Sequence, residues 1–557
     1  MLPANDNPRR LLRERWTALT SERSSWLDHW REISDYLLPR SGRFLITDRN
    51  RGEKRHRAIY DSTGTRALRV LAAGMMAGMT SPARPWFRLT TSDPELDESA
   101  GVKAWLADVT RIMQMVFAKS NTYRALHAMY EELGAFGTAS SIVLADFGTV
   151  IHHHVLTAGE YAIATDARGR TDTVYREFQQ TVGQLVREFG AEKCSHTVRN
   201  LYDRGALDQW VTVVHAIEPR RDRDPARRDA QNMAWRSAYF EAAGNDGALL
   251  RDSGFRDMPT LCPRWAVAGG DIYGNSPGME VLGDLKQLQH QQLRKAECID
   301  SQTKPALQVP ASMKARDIDV LPGGISFVDL AGASGGIKPA FQSALDLSHL
   351  LVDIQDVRER IKAGFYADLF LMLANGTNTQ MTATEVAERH EEKLLMLGPV
   401  LERMHNEILD PLIELAFSHM VAANLVPPPP EELQGMEMNV EFFGMLAQAQ
   451  RAIATNSVDR FVGNVGAVAA MKPEVLDKLD ADRWADAYAD MLGIDPEMIV
   501  PGDKVALIRR QRAEAAAAQQ QAAMLQQGAD AAQKLGSVDT TKPNALTDIT
   551  RAFSGYT

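Results

Sequence analysis

The chain has 557 residues and a mass of 61.6 kDa, and at roughly 100 to 200 residues per domain it should form three or four folding units. Its composition is 45% hydrophobic, 24% charged and 7% aromatic, which is ordinary for globular proteins and excludes disordered, collagen-like and disulfide-stapled classes. The formal charge of −10 argues against a general polyanion binder, whose surface would be basic.

The charge is unevenly distributed along the chain. Residues 1–57 contain 13 Arg or Lys and 8 Asp or Glu, a local charge of +5, which leaves −15 on the remaining 500 residues. We name Arg49, Arg51, Lys54, Arg55 and Arg57 as a candidate basic surface for phosphates. A solvated, salt-bridged loop is the simpler reading, both here and for the second basic run at 220–228.

Cysteine usage and hydropathy give two further expectations. Cys194, Cys262 and Cys298 are far apart and odd in number, which indicates a reducing compartment, buried thiols and no zinc-binding pair. No secretory leader opens the sequence, and the longest apolar runs, 70–83 and 133–145, are too short to span a bilayer. A protein without membrane association is expected.

The first 140 residues are predicted to be mainly helical. Apolar residues follow a helical period from Arg9 to Leu38, where Pro39 follows. The segment from Asp61 to Met79 is a helix of small residues whose Ala and Gly allow another helix to approach closely. Helical periodicity continues from Glu95 to Ala139.

Short alternating runs between Ser141 and Gly270 predict antiparallel strands. A helix is expected within them from about Val182 to Phe189. The pattern predicts an α+β domain of about 130 residues.

Two helices are predicted to flank a small β insert. Ser276 is a predicted N-cap with Pro277 at the first helical position, and this helix should extend to about Ser301. The insert spans 304–339, and a second helix begins near Ser343.

The remaining chain is predicted to be helical apart from its connections. The uncharged ANGTNTQM segment, 374–381, is predicted to be a loop, and a capping-box pattern at Thr382 then opens a long helix with kinks at 398–399 and Pro411. Four prolines end it at 427–430, and a further helical unit spans 441–492. Residues 501–540 hold 11 Ala and 7 Gln, which predicts a helix that needs neighbours for stability.

Catalytic motifs are not found. His390 begins an HExxH-like sequence, but Leu394 replaces the second histidine, and His152, His153 and His154 should alternate between the two faces of a strand. The run at 332–338 lacks the GxxxxGK[ST] pattern, and neither GxSxG nor GxGxxG occurs. We therefore expect no enzyme activity, no cofactor and no metal site.

Four blocks of sequence occur in a fixed order: EYAIATDARGRTDTVYREFQQT (160–181), GGDIYGNSPGMEVLGDLKQLQ (269–289), MTATEVAER (381–389) and LGPVLERMHNEILDPLIE (397–414). Together with the N-terminal RWTALTSERSSWLDHWREISDYLLPRSGRF they resemble the portal proteins, or head-to-tail connectors, of short-tailed bacteriophages. The resemblance covers most of residues 10–430. Family members often have a basic residue where this chain has Asn275.

The resemblance implies a mainly helical α+β fold with wing, stem, clip and crown or barrel parts, assembled as a ring around a DNA channel. The implied ranges are the N-terminal helical part of the wing 1–140, β-rich wing 141–270, first stem helix 271–302, clip 303–340, second stem helix 341–373, channel loop 374–381, long kinked wing helix 382–430, crown 431–500, barrel helix 501–535 and flexible tail 536–557.

Partners and location are also implied by the resemblance. It implies a homo-oligomer of about twelve subunits at the portal vertex of the virion, assembled in the host cytoplasm, with double-stranded DNA passing through its channel. The implied protein partners are the terminase large subunit, tail adaptors, major capsid and scaffolding proteins, and internal ejection proteins. No membrane partner is implied.

We hypothesise that an uncharged loop touches passing DNA weakly, because each Lys or Arg contact to a phosphate strengthens binding. The loop residues are Asn375, Gly376, Thr377, Asn378, Thr379 and Gln380, and Asp346, Asp353 and Asp356 are expected to keep the lining negative. Two other classes stay open: a second head-tail structural protein, such as an adaptor or scaffold, and a hydrolase that uses His152–His154.

Overall fold

The structure is a computed structural model that describes residues 7–45, 57–93, 96, 99–227, 229–243, 249–303, 307–308, 338–339, 348–375, 396–433, 438–442, 461–469, 471–492, 500 and 502–536. The chain divides into two compact units, Met1–Gln450 and Arg451–Thr557. The predicted α+β, mainly helical fold is confirmed.

Helices account for most of the described part of the first unit. They are α1 Pro8–Tyr36, α2 Thr63–Met79, α3 Ala100–Lys119, α4 Thr122–Phe136, α5 Val182–Phe189, α6 His196–Asp203, α7 Pro277–Glu280, α8 Leu282–Thr303, α9 Ser348–Gly364, α10 Ala367–Asn375, α11 at 396–404, a π-helical turn His405–Leu409, and α12 Asp410–Ala422.

Twelve described strands form four sheets. They are β1 Phe87–Thr91, β2 Ser140–Asp146, β3 Val150–Leu156, β4 Tyr161–Thr165, β5 Thr171–Thr181, β6 Trp210–Pro219, β7 Trp235–Glu241, β8 Arg251–Phe255, β9 Thr260–Leu261, β10 Leu307–Gln308, β11 Lys338–Pro339 and β12 Met438–Phe442. The sheet orders are β4-β5-β6-β7-β8, β3-β2-β9, β1-β12 and β10-β11, and every pairing is antiparallel.

Helix α1 packs on the β-rich region through tryptophans, as the sequence predicts. Trp16 stacks on Tyr175 of β5 with 6.1 Å between ring centroids, and Trp30 meets Tyr273 edge-on at 5.1 Å. The buried guanidinium of Arg23 donates to the carbonyl oxygen of Tyr161 at 2.7 Å. The five-stranded sheet therefore lies between α1 on one face and a cluster from α5 and α6 on the other.

Helix α2 permits the close packing expected from its small residues. A Cβ atom at Gly74 would lie 2.2 Å from the Phe370 ring of α10, and one at Gly64 would lie 2.3 Å from a methyl carbon of Leu285 in α8. These contacts join α2 to the helices that flank the predicted insert.

Local predictions are confirmed at several helix starts. The Ser276 hydroxyl accepts from the Met279 N–H at 3.0 Å, with Pro277 opening α7, and Thr181 forms a capping box before α5. The predicted kink at Pro411 corresponds to the π-helical turn that precedes it. Among the described residues of the predicted second stem helix, Ile354, Val357, Ile361 and Phe365 are buried at helical spacing, whereas Leu351 is exposed.

The structure differs from the sequence predictions at four places. The predicted helical unit from Glu441 includes the end of β12, which pairs with β1, and β1 interrupts the helical N-terminal part. Helix α6 was not expected. The second stem helix also breaks at Tyr366, which has a positive φ of 54°, before α10 begins.

The second unit has helices in its described part. They are α13 at 461–469, α14 Ala481–Leu492 and α15 Gly502–Gly536, with a 3-10 turn at Pro473–Lys478. The predicted Ala- and Gln-rich helix is confirmed as α15, and its Leu507, Ile508 and Met524 side chains are exposed.

Candidate nucleic-acid interface

The carboxylate of Asp61 joins three helices, α2, α8 and α9. Its Oδ1 accepts from the N–H and the hydroxyl of Thr63 at 2.9 and 2.6 Å, at the start of α2. Its Oδ2 accepts from Gln292 Nε2 of α8 at 2.9 Å and from Arg358 of α9 at 3.0 and 2.8 Å. Helices α8 and α9 are thereby fixed against the start of α2.

Gln289 completes this junction from α8. Its Oε1 accepts from the Tyr60 and Asp61 N–H groups at 2.6 and 2.8 Å, and its Nε2 donates to the Asp61 carbonyl at 2.9 Å. Burial alone would raise the pKa of Asp61, but the hydrogen bonds from Thr63 and Arg358 outweigh it and lower that pKa. Asp61 is therefore held ionised beside Arg358.

The predicted acidic lining is partly described. Asp353 and Asp356 lie on the exposed side of α9, where Asp353 accepts a hydrogen bond from Gln291 and Asp356 lies 3.6 Å from Arg360. Asp346 lies outside the described residues. Helices α8 and α9 each carry three acidic and three basic residues, so the charge of the described stem is balanced rather than negative.

The predicted channel loop, 374–381, is wrong at its first two residues. Ala374 and Asn375 belong to α10 and not to a loop, because the helical apolar sequence ADLFLMLAN extends to Asn375. Gly376, Thr377, Asn378, Thr379 and Gln380 lie outside the described residues.

The predicted basic surface is described only at Arg57, which is exposed. Arg49, Arg51, Lys54 and Arg55 lie outside the described residues. The chain that leads into this segment is anchored on the β3–β4 connection: the Gly42 N–H donates to the Thr157 hydroxyl at 2.7 Å, and the Arg43 N–H donates to the Ala158 carbonyl at 2.8 Å.

The second basic run is a surface turn, as the simpler reading predicts. Arg220 is buried and donates to Asp252 Oδ1 and to the Ser253 carbonyl, both at 2.8 Å, whereas residues 221–227 are exposed. Arg220, the first arginine of the run, therefore stabilises the sheet by binding residues of β8.

The π-helical turn presents Glu407 to Arg264. The Arg264 backbone N–H and its Nη2 donate to the two carboxylate oxygens at 2.8 and 2.7 Å, and Nη2 also donates to the Gly169 carbonyl at 2.6 Å. Arg403 reaches the same carboxylate at 3.1 Å. This pair was not predicted, because π-helical turns have no sequence signature in the patterns used above.

The histidine run does not form a metal site. His153 is buried between Thr122 and Ser141, and His152 and His154 point to the opposite face of β3. Burial lowers the pKa of His153 to about 4, so its ring is neutral. Within the described ranges, no cluster of three His, Cys, Asp or Glu side chains could hold a metal ion, and no helix is long and apolar enough to cross a membrane.

Cys194 and Cys262 are buried free thiols, as predicted, and Cys298 is half-buried. Burial raises the pKa of both buried thiols to about 11. Neither thiol is therefore activated as a nucleophile.

The chain belongs to the family of bacteriophage head to tail connecting proteins, whose model matches residues 9–500. This confirms the family that the four sequence blocks indicate. The chain is 74% identical over 554 residues to the "Probable portal protein" of Bordetella phage BPP-1, with 100% of each chain covered. It is 44% identical over 550 residues to the "Portal protein" of Salmonella phage epsilon15, with 99% of each chain covered.

Among solved structures, the chain is similar to one from the neck of an empty GTA particle. The TM-score is 0.36 at 12% sequence identity, and the match covers 82% of this chain and 96% of that chain.

Proposed function

We propose that this protein is a portal subunit that assembles as a closed ring of about twelve copies at one vertex of a phage capsid. Double-stranded DNA enters through the ring during packaging and leaves through it during ejection. The observation that carries the proposal is the match, over essentially the whole chain, to two proteins named as portal proteins.

The described elements support an assignment of parts. Helices α8 and α9 form the stem and 303–340 the clip, residues 141–270 with the N-terminal helices form the wing, and residues from 431 form the crown and barrel. The stem assignment is supported by the packing of α8 on α9 through Gln291 and Asp353 and by the junction at Asp61. In a ring with head-to-tail contacts, the exposed apolar residues of α15 also pack against α15 of neighbouring copies.

The channel guides DNA rather than gripping it. Helices α8 and α9 bring equal numbers of acidic and basic side chains, so they have no net charge with which to retain phosphates along their whole length. The uncharged residues 376–380 then touch the passing duplex weakly, and Asp353 and Asp356 limit phosphate contact on the stem.

The same ring serves as a docking site. The terminase large subunit binds the clip during packaging and the tail adaptor binds it afterwards, while capsid and scaffolding proteins meet the wing, where the basic segment leaves its anchor at Gly42 and Arg43. Internal ejection proteins contact the opposite end. The protein is a virion component that is assembled in the host cytoplasm and has no catalytic role.

Replacement of residues 376–380 by a shorter Gly/Ser turn tests the proposed channel. We expect lower DNA packaging or retention in phage complemented with the variant, because the channel loses its loop contacts while the stem is unchanged. The control is Ala167→Ser in the exposed turn between β4 and β5, outside the proposed channel, scored for particle yield and genome content. Wild-type genome content in the loop variant would contradict the proposed role of the loop.

A further inference from the structure

An open cleft of about 580 Å³ lies beside Asp61, between the start of α2 and helices α9 and α10. Three cationic side chains line it: Arg66 of α2, and Arg358 and Lys362 one turn apart on α9. Among the described residues that line it, Asp61 carries the only carboxylate. We call this feature the Asp61 cleft.

The cleft has more positive charge than its own carboxylate can balance. Asp61 already accepts hydrogen bonds from Thr63, Gln292 and Arg358, so its charge is matched by Arg358. Arg66 and Lys362 are exposed, and neither has an ion-pair partner in the part of the chain that the structure describes. Two positive charges therefore remain available to a ligand.

This excess is local to the cleft. Acidic and basic residues are equal in number along α8 and along α9, so the stem as a whole does not attract anions. On α9 Asp353 and Asp356 precede Arg358 and Lys362, and the third acid, Glu359, accepts a hydrogen bond from Gln355 and does not line the cleft. A passing polyanion would therefore be attracted at the cleft.

The lining suits a phosphate group. Ser62 and Tyr60 add hydroxyl donors, and Gln355 adds an amide, beside the two available cations; phosphate oxygens accept hydrogen bonds from all of these groups. The volume lies in the range of sites that hold small ligands, and Val70 and Leu371 provide an apolar wall against which a sugar can pack.

We propose that the Asp61 cleft binds phosphate groups of the DNA backbone, an inference that rests on the proposed function of the ring. Exposed cations without a fixed partner hold each phosphate weakly, because such pairs are solvated and screened. That behaviour suits a transient contact with a polymer that moves past the site. The alternative ligand of the cleft is a carboxylate from a neighbouring copy of the chain, and the experiment below distinguishes it from a DNA phosphate.

The test compares two double variants of the full-length protein. Arg66→Gln with Lys362→Gln removes the available charges of the cleft. Arg69→Gln with Lys103→Gln is the matched control, because both of these residues are exposed and neither lines the cleft. Binding of a labelled short duplex is measured by fluorescence anisotropy between about 50 and 200 mM salt, with inorganic phosphate as competitor.

We expect the cleft variant to bind DNA more weakly and with a shallower salt dependence. Each subunit whose cleft contacts the duplex loses two phosphate contacts, so the slope of log K against log salt should fall by about 1.8 for each such subunit, since each contact contributes about 0.9. The control should keep the wild-type slope, and Arg66→Lys with Lys362→Arg should restore it because the charges are retained.

Ring assembly of every variant is observed by electron microscopy in the same preparations. Equal DNA binding by the two double variants would overturn the proposal. If only the cleft variant loses its rings, the cleft is a contact site for a second copy of the chain. If the cleft variant loses phosphate binding but keeps its DNA binding, the cleft is a site for free phosphate. Both results contradict a DNA site. If the wild type forms no rings, the proposed function fails, whereas the comparison of variants still decides what the cleft binds.

Discussion

Gly137 ends α4 in a left-handed backbone conformation, with φ of 75°. A Cβ atom there would lie 2.1 Å from the Gly274 carbonyl oxygen, which is backbone and cannot turn aside. The N–H of Trp265 also donates to the Gly137 carbonyl at 2.8 Å. Gly137 therefore allows α4 to end directly against the strand-like segment that leads to the stem.

Gly137→Ala is expected to destabilise the protein by about 3 kcal/mol or more, from backbone strain together with the clash. The measurement is the free energy of unfolding or, if unfolding is irreversible, the melting temperature. Gly101→Ala is the control, because a Cβ atom there meets nothing within 4 Å, and it should be neutral or stabilising by up to about 1 kcal/mol. Equal effects of the two substitutions would contradict this account.

Glu132 is a buried carboxyl group beneath the anchor of the basic segment. Its two oxygens accept from the Thr157 hydroxyl at 2.8 Å and the Ala158 N–H at 3.1 Å. Burial, only partly offset by these hydrogen bonds, raises the pKa of Glu132 to about 7 from the ordinary 4.5. The folded protein thus favours the protonated acid.

This raised pKa makes stability depend on pH. Protonated Glu132 makes its full contribution to the free energy of unfolding below pH 4.5, and this contribution is lost as the pH rises through 7. Glu132→Gln mimics the protonated acid, so its stability relative to wild type should increase between pH 5 and pH 8 by about 2 to 3 kcal/mol. Melting temperatures at the two pH values test this, with the exposed Glu22→Gln as control; a parallel pH dependence in wild type and Glu132→Gln would contradict it.

At the scale of elements, helices α8 and α9 are tied to the start of α2 by one carboxylate. Asp61 connects α2, α8 and α9, and the partners on α8 and α9 are 231 and 297 residues away in sequence. Glu407 has a comparable role, because the π-helical turn directs it to Arg264 next to the β4–β5 turn. One polar contact thus holds α8 and α9 against α2, and the other holds the π-helical turn against the β-rich part of the chain.

Asp61→Asn is expected to destabilise the junction by about 2 kcal/mol, since donors from Thr63, Gln292 and Arg358 lose acceptors. The Arg358 ion pair contributes less to this loss of stability than a buried pair would, because the Arg358 side chain is 37% exposed. Asp356→Asn is the matched control on α9, and its exposed pair with Arg360 should contribute less than about 1 kcal/mol. Thermal unfolding of both variants measures the difference, and a larger effect at Asp356 would contradict the role of Asp61.

Local elements were predictable where a short sequence determines them. The N-cap Ser276 with Pro277, the capping box at Thr181 and the small-residue helix α2 all follow from neighbouring residues. The β1–β12 pair was missed because Arg88 and its strand partner Glu441 are 353 residues apart. The Asp61 junction was missed for the same reason, and the Arg264–Glu407 pair was missed because it also depends on a π-helical turn that the patterns do not detect.

At the scale of the whole molecule, the net charge does not describe the local charge of each part. The overall charge is −10, yet the stem helices are balanced and the available cations lie at the Asp61 cleft. Family membership was predictable because four blocks keep their order over most of the chain. The side chains proposed to touch DNA were only partly predictable, since Arg66 and Lys362 come together through packing and belong to no motif.

The central claim is that the protein forms a ring with an open channel, and electron microscopy of the purified full-length protein tests it most directly. We predict two-dimensional class averages with about twelvefold symmetry and an open centre wide enough for duplex DNA. A stable dimer, or a compact closed particle without a channel, would contradict the account.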